Sequence, residues 1–157
     1  MRRSDREITD LQQIQEFVRA EQILRVAFVD DEEIYIVPVN YGYVQEDDRQ
    51  LLYFHGAQAG RRYTLSQSTP LVGFEIDGNY RPLTNELACK SSAAFQSVIG
   101  TGRVQLVTQE EEKIKGLNAI MAQVSGRADW QFPQQSLAAV AVYRLEVHKM
   151  TCKGRLV

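Results

Sequence analysis

The stretch LLYFHGAQAGRR, residues 51–62, sets an imidazole at the end of an apolar run and two adjacent guanidinium groups shortly after it. The chain has only two histidines, so placing His55 at the end of a buried-looking strand is unusual. An imidazole can give or take a proton near neutral pH. Arg61 and Arg62 follow Gly60 and fall in the first turn of the helix predicted there. Positive side chains are disfavoured at that end, because the helix N-terminus is itself partly positive. An anion would relieve the conflict, and backbone N–H groups together with guanidinium groups make a phosphate clamp. The other outcome is ordinary for arginine: exposure to solvent, or pairing with Glu75 or nearby acids.

A second polar stretch, LACKSSAAFQSVIG at 87–100, offers Lys90, Ser91, Ser92, Gln96 and Ser97 as a cation and several donors. The alternatives are thin. The chain has no glycine-rich phosphate loop and no GxGxxG. It has no GxSxG elbow for a serine nucleophile. Cys89 stands beside Lys90, but neither histidine has a motif linking it to that thiol. Trp130 and Phe132 sit in a loop with few other apolar residues, so they pack on the domain's own core or on a second subunit.

These residues need elements to hold them. A helix opens the chain, with Thr9 and Gln12 at capping-box spacing and an apolar stripe of Leu11, Ile14, Phe17 and Val18. Strands follow at 24–29 and 34–44, joined by the polar turn DDEE as a hairpin. Pro38 cannot donate to a ladder, so its strand needs an edge, a bulge or an opening there. A third strand ends at His55, and a short helix runs until Thr69-Pro70 stops it. The fourth strand is 71–76, and 77–92 reads as a long polar loop of functional or mobile type. In the fifth, 97–107, Gly100 and Gly102 share a face, which implies a close approach to the backbone or a sharp bend. Thr108 and Glu111 start a helix with Ile114, Leu117, Ile120, Met121 and Val124 on one side. A loop at 128–136 holds a turn of helix after Pro133, and the last strand is 138–150. Six strands joined mostly by short turns favour an antiparallel sheet, rolled into a small closed barrel with helices outside.

The 157 residues suit a single domain, 1–157, with its own core. A net charge of −2 argues against nucleic acid as a partner, because phosphate binding leaves a strong basic excess. The basic residues are scattered apart from Arg2-Arg3 and Arg61-Arg62. No apolar run approaches the roughly 20 residues that span a bilayer, and the N-terminus lacks a signal-peptide core. A cytoplasmic chain with no membrane partner is expected. Cys89 and Cys152 then read as free thiols, and no cluster predicts a metal site.

Taken as a set, RVAFVDDEEIYIVPVNYGY, LYFHGAQAGRR, CKSSAAFQSVIGTGRV, EEEKIKGLNAIM and VAVYRLEVHKMTCK resemble the flavin-binding split-barrel superfamily of pyridoxamine 5'-phosphate oxidase. Within it the chain is similar to the Nim-type 5-nitroimidazole resistance proteins. The resemblance spans about Arg2 to Lys153 and is most specific at IVPVNYGY, FHGA…GRR and SVIGTG. It implies a mainly β (α+β) fold, a six-stranded antiparallel split β-barrel with flanking helices. It also implies a homodimer with FMN in clefts at the subunit interface. By the same resemblance Arg61 and Arg62 stand near the FMN phosphate, and Val37, Pro38, Val39 and Asn40 lie along the isoalloxazine. His55 borders the flavin and a small-molecule substrate as the catalytic residue. Lys90, Gln96 and Ser97 complete the site, and the Trp130 loop approaches from the partner chain.

The resemblance implies an FMN-dependent oxidoreductase that reduces nitro compounds such as 5-nitroimidazoles. Its rival is a non-catalytic flavin- or haem-binding module of the same fold; His55 and His148 are the imidazoles available to a haem, though no motif indicates ligation. The chain departs from the vitamin oxidase at its C-terminus: EVHKMTCKGRLV lacks that enzyme's Arg-x-His element for a phosphorylated substrate.

Overall fold

A computed structural model describes residues 4–68 and 70–155. The basic pair at positions 2 and 3, and Thr69 of the expected helix stop, lie outside the described residues. The strands are β1 (Glu7–Ile8), β2 (Ile23–Asp30), β3 (Glu33–Asn40), β4 (Gly42–Glu46), β5 (Arg49–Ala57), β6 (Leu71–Leu83), β7 (Ser92–Leu106) and β8 (Val140–Arg155). The helices are α1 (Leu11–Ala20), α2 (Arg61–Ser66), α3 (Glu110–Ser125) and α4 (Gln134–Ala139). Every strand pairing is antiparallel. The mainly β split-barrel architecture with flanking helices is therefore as expected, but the strands among the described residues number eight rather than six.

One added strand is the two-residue β1, too short to leave a pattern. The other arises because 34–44 is two strands. Tyr41 separates them: its side chain is fully buried and its hydroxyl donates to the Val18 carbonyl at 2.5 Å. The hydrogen-bonded order is β3-β2-β6-β7-β8-β5-β4, so β3 and β4 hold the two ends of the path. In a flat sheet those edges would stand about 29 Å apart at roughly 4.8 Å per strand. A single residue joins them, so the sheet must roll up. The roll does not close into a complete barrel as expected. β4 pairs with β5 as far as Gly42 opposite Tyr53. Beyond that point β3 lies against β5 without a ladder, and this seam is the split. Pro38 sits on β3, an edge strand, where its missing N–H interrupts no central ladder.

Several boundaries move. β5 continues past His55 to Ala57, paired with β8. The expected loop at 77–92 shrinks to 84–91, because β6 runs on to Leu83 and β7 begins at Ser92. These extensions pair across an irregularity between Gly78 and Arg81 and are largely exposed. A ribbon with no buried face shows no alternation, so its sequence looks like loop. The first helix is capped by Asp10, not Thr9: its carboxylate accepts from the Gln13 N–H at 2.9 Å. In α3 the cap position is Gln109 and carries no side-chain cap bond, while Glu110, Glu111 and Glu112 face the positive helix end.

The rolled sheet encloses a core that includes Leu24, Val26, Phe28, Phe54, Phe74, Val98, Tyr143 and Leu145. A Cβ at Gly100 would overlap the Phe74 ring, and one at Gly102 the Glu146 carbonyl. That is the close approach the paired glycines imply. A second cluster joins Leu51, Tyr53, Leu117, Ile120, Leu137 and Val142 beneath α3. β5 is thus buried on both faces, which explains its unbroken LLYF. Leu51, Tyr53 and His55 project to the α3 side by alternation, and His55 emerges where the helix's cover ends. Among the described residues no helix is long and apolar enough to cross a membrane.

Candidate functional site

The seam between β3 and β5 opens into a cleft of about 380 Å³ lined by Ile23, Pro38, Val39, Asn40, His55 and Arg62. Ligand pockets are commonly roughly 300–1000 Å³. The cleft exists because strand pairing stops here, so both walls present strand edges rather than a finished ladder. Asn40 is held in place by its side-chain amide, which donates to the Gln22 carbonyl at 3.1 Å.

Arg62 supplies the charge. Its guanidinium donates to a neutral group, the His55 carbonyl, at 3.2 Å. It lies over the rings of Tyr143 and Phe54, 5.2 and 5.9 Å from their centroids. Gly56 makes room for it, since a Cβ at that position would overlap the guanidinium. The cation is therefore shelved on aromatic faces at the mouth of the cleft. His55 keeps solvent exposure, yet the walls desolvate its ring, and the Arg62 charge adds to this. Both effects push its pKa below the ordinary 6.5, so the imidazole is neutral at neutral pH.

Arg61 behaves differently from its neighbour. It pairs with Asp30 at 2.5 Å and Glu33 at 2.6 Å, and stacks 5.0 Å from the Tyr35 ring centroid. Those acids flank the β2–β3 turn and face each other in register. Glu75 pairs with Arg25 instead, at 2.9 Å.

The structure brings Pro38, Val39, Asn40, His55 and Arg62 together. Val37, on the same strand, packs against the interior. Gln96 is buried, accepting from Asn79 at 3.3 Å and donating to the Cys152 thiol at 3.7 Å. Ser97 points outward into a separate cleft of about 220 Å³ with Ile99, Thr151 and Lys153. Lys90 ends an exposed 3-10 turn, Ala88–Lys90. Trp130 folds onto its own loop. Its indole N–H donates to the Arg127 carbonyl at 3.0 Å, and the Arg127 guanidinium lies 4.4 Å from its ring centroid. Phe132 packs on the domain's second cluster. His148 lies six residues along β8 from Val142, the register partner of His55, or about 20 Å at roughly 3.3 Å per residue. The two imidazoles of one chain cannot flank a single haem iron. Both cysteines are free thiols, Cys89 exposed and Cys152 buried.

Sequence reasoning missed Ile23 in the cleft wall, and Asp30 and Glu33 as partners of Arg61. The acids were visible as a turn, but the hairpin register that aims them at Arg61 was not.

The class is set by the sheet: an antiparallel barrel, split along one seam, with a polar cleft at the split. A family model described as pyridoxamine 5'-phosphate oxidase matches residues 10–154, and the chain belongs to that family. A solved structure described as a 5-nitroimidazole antibiotic resistance protein, from Bacteroides thetaiotaomicron, is 26% identical, with a TM-score of 0.80. That match covers 94% of this chain and 86% of the other. An FAD and haem binding protein from Mycobacterium smegmatis has a TM-score of 0.83 at 15% identity, covering 97% of this chain and 74% of that one. An FAD binding protein from the same organism has a TM-score of 0.63 at 16% identity, covering 96% and 98%. No curated protein gives a significant match. The resemblance read from the residues, to the oxidase superfamily and to Nim-type proteins, therefore holds.

Proposed function

We propose that this chain is a flavin-dependent oxidoreductase that binds FMN in the seam cleft and reduces small nitro compounds, 5-nitroimidazoles among them. The observation that carries the reading is Arg62: a cation shelved at an open seam, hydrogen-bonded to a carbonyl and, among the described residues, paired with no carboxylate. Such a group suits a phosphate, and the adjacent strand edges suit the hydrogen-bonding rim of a planar ring. The family and the flavin-binding proteins of the same fold support the choice of flavin.

A bound flavin supplies the redox chemistry. The chain's residues position the reactants. Arg62 anchors the anionic end. Pro38, Val39 and Asn40 offer a wall along the ring. Neutral His55 carries a proton on one ring nitrogen and can donate a hydrogen bond to a substrate oxygen. Arg61, already paired with two acids, holds α2 against the β2–β3 turn and leaves the phosphate to its neighbour.

We infer a homodimer as the working form. The outward face of β2, β3 and β6 exposes Val29, Ile34, Ile36 and Leu71, each between 53% and 63% exposed. The same outward rows continue through Ile23, Pro38 and Asn40 to the seam cleft, and across to Ser97 on β7. A second copy on this face would set its own row through Ser97 against the first copy's exposed strands.

The test is FMN titration. A charge-assisted contact is worth about 1.5–3 kcal/mol, so Arg62→Ala should weaken binding by roughly 10- to 100-fold at about 1.4 kcal/mol per decade. Unchanged affinity in a folded variant would overturn the assignment. Anaerobic mixing of the reduced, FMN-loaded protein with a nitroimidazole should restore the oxidised flavin spectrum. A protein that binds FMN tightly but stays reduced is a flavin store instead.

A further inference from the structure

His55 borders a second cavity besides the seam. On the α3 side of β5 lies a pocket of about 240 Å³ walled by Leu117, Ile120, Met121, Phe132 and Val140. Its polar lining comes from His55 and Ser136, and among the described residues no charged side chain lines it. The pocket arises from the way β5 is covered. Leu51 and Tyr53 are sealed beneath α3, and His55 is the next residue on that face. Phe132 and α4 come down beside it and stop short of closing the gap.

We propose that this pocket binds the substrate as an uncharged, largely apolar molecule of single-ring size, with His55 as the polar group that orients it toward the seam. This deepens the reading of the seam as the flavin cleft and rests on it. The size fits: a cavity of about 150 Å³ lined by Leu, Ile and Phe takes up benzene, so 240 Å³ accommodates a ring with a small substituent. The chemistry discriminates as well. An anion entering here would give up part of its hydration against apolar walls and meet no free cation among the described lining residues, since the Lys113 ammonium beside the pocket is already held by the Leu137 and Val140 carbonyls at 3.2 Å. A phosphorylated substrate is disfavoured for the same reason, since the cation near His55 faces the seam cleft. A neutral ring loses little water and can accept one hydrogen bond from the imidazole.

The experiment pairs nitrobenzene with benzoate, which match in shape and differ in charge. Line broadening of the ring protons reads binding to the protein with and without FMN. Nitrobenzene should bind at least 10-fold more tightly than benzoate. Ser136→Phe, at an exposed position, and Met121→Trp should each abolish nitrobenzene binding while FMN affinity stays within 2-fold. Circular dichroism checks folding, and Ser136→Phe decides if Met121→Trp, at a half-buried position, fails to fold. Equal binding of the two probes, or nitrobenzene binding that survives both folded variants, would overturn the pocket. Because nitrobenzene is also measured on flavin-free protein, loss of FMN binding with nitrobenzene retained sinks the flavin reading alone.

Discussion

Position 56 controls the cleft's charge without touching a ligand. The Arg62 guanidinium occupies the space a side chain at Gly56 would fill. Gly56→Ala should therefore push the cation off its aromatic shelf, weakening FMN binding at least 10-fold in titration while costing little stability, because the displaced atoms are the free end of a flexible side chain. His55 gives a pH signature. Its folded pKa lies below 6.5, so the unfolded chain takes up the proton first as pH falls. The contribution is intact above about pH 6.5, declines below it, and levels off once the folded ring titrates too. His55→Gln should flatten that part of the Tm profile between about pH 7 and pH 5; an unchanged slope would show that the ring is not desolvated. At this scale His55 and Arg62 were legible, because residue type and spacing mark them. The difference between Arg61 and Arg62 was not legible, since it depends on which partners the hairpin register delivers.

At the scale of elements, α3 lies directly on β4. A Cβ at Gly42 would overlap the backbone of Ala119. Backbone cannot step aside as a flexible side chain can, so Gly42→Ala should cost about 3 kcal/mol. Calorimetry should then show Tm lowered by roughly 6–12 °C, at about 2–4 °C per kcal/mol. The other end of α3 is tied by charge. Glu112 accepts from Arg144 at 2.6 Å and from the Tyr53 hydroxyl at 3.1 Å, and burial beside that acid pushes the tyrosine up to about 12. The long periodic elements, α1 and α3 above all, were readable because an apolar stripe survives in sequence. Capping residues and the exposed β6–β7 ribbon were not. Asp10 outcompetes Thr9 only through local geometry, and a ribbon without a buried face leaves no alternation to read. Replacing Asp10 with Ala should cost about 1 kcal/mol, and Thr9→Ala much less.

For the molecule as a whole, the exposed apolar rows of β2, β3 and β6 make association testable. Ile36→Glu, at a position 60% exposed, should leave the fold intact. It should yield a monomer by sedimentation and reduce FMN affinity if a second copy completes the site; a dimer that persists would place the interface elsewhere. That face was legible residue by residue as strand, but which side faces solvent emerges only once the sheet rolls. The roll itself traces to the lone link at Tyr41. Opposite margins of the sheet are stitched by one peptide unit on either side of a buried phenol, so the gap can be no wider than that stitch permits. Inserting residues there would act like loosening a drawstring, letting in bulkier guests at the expense of the phenol's seat on α1.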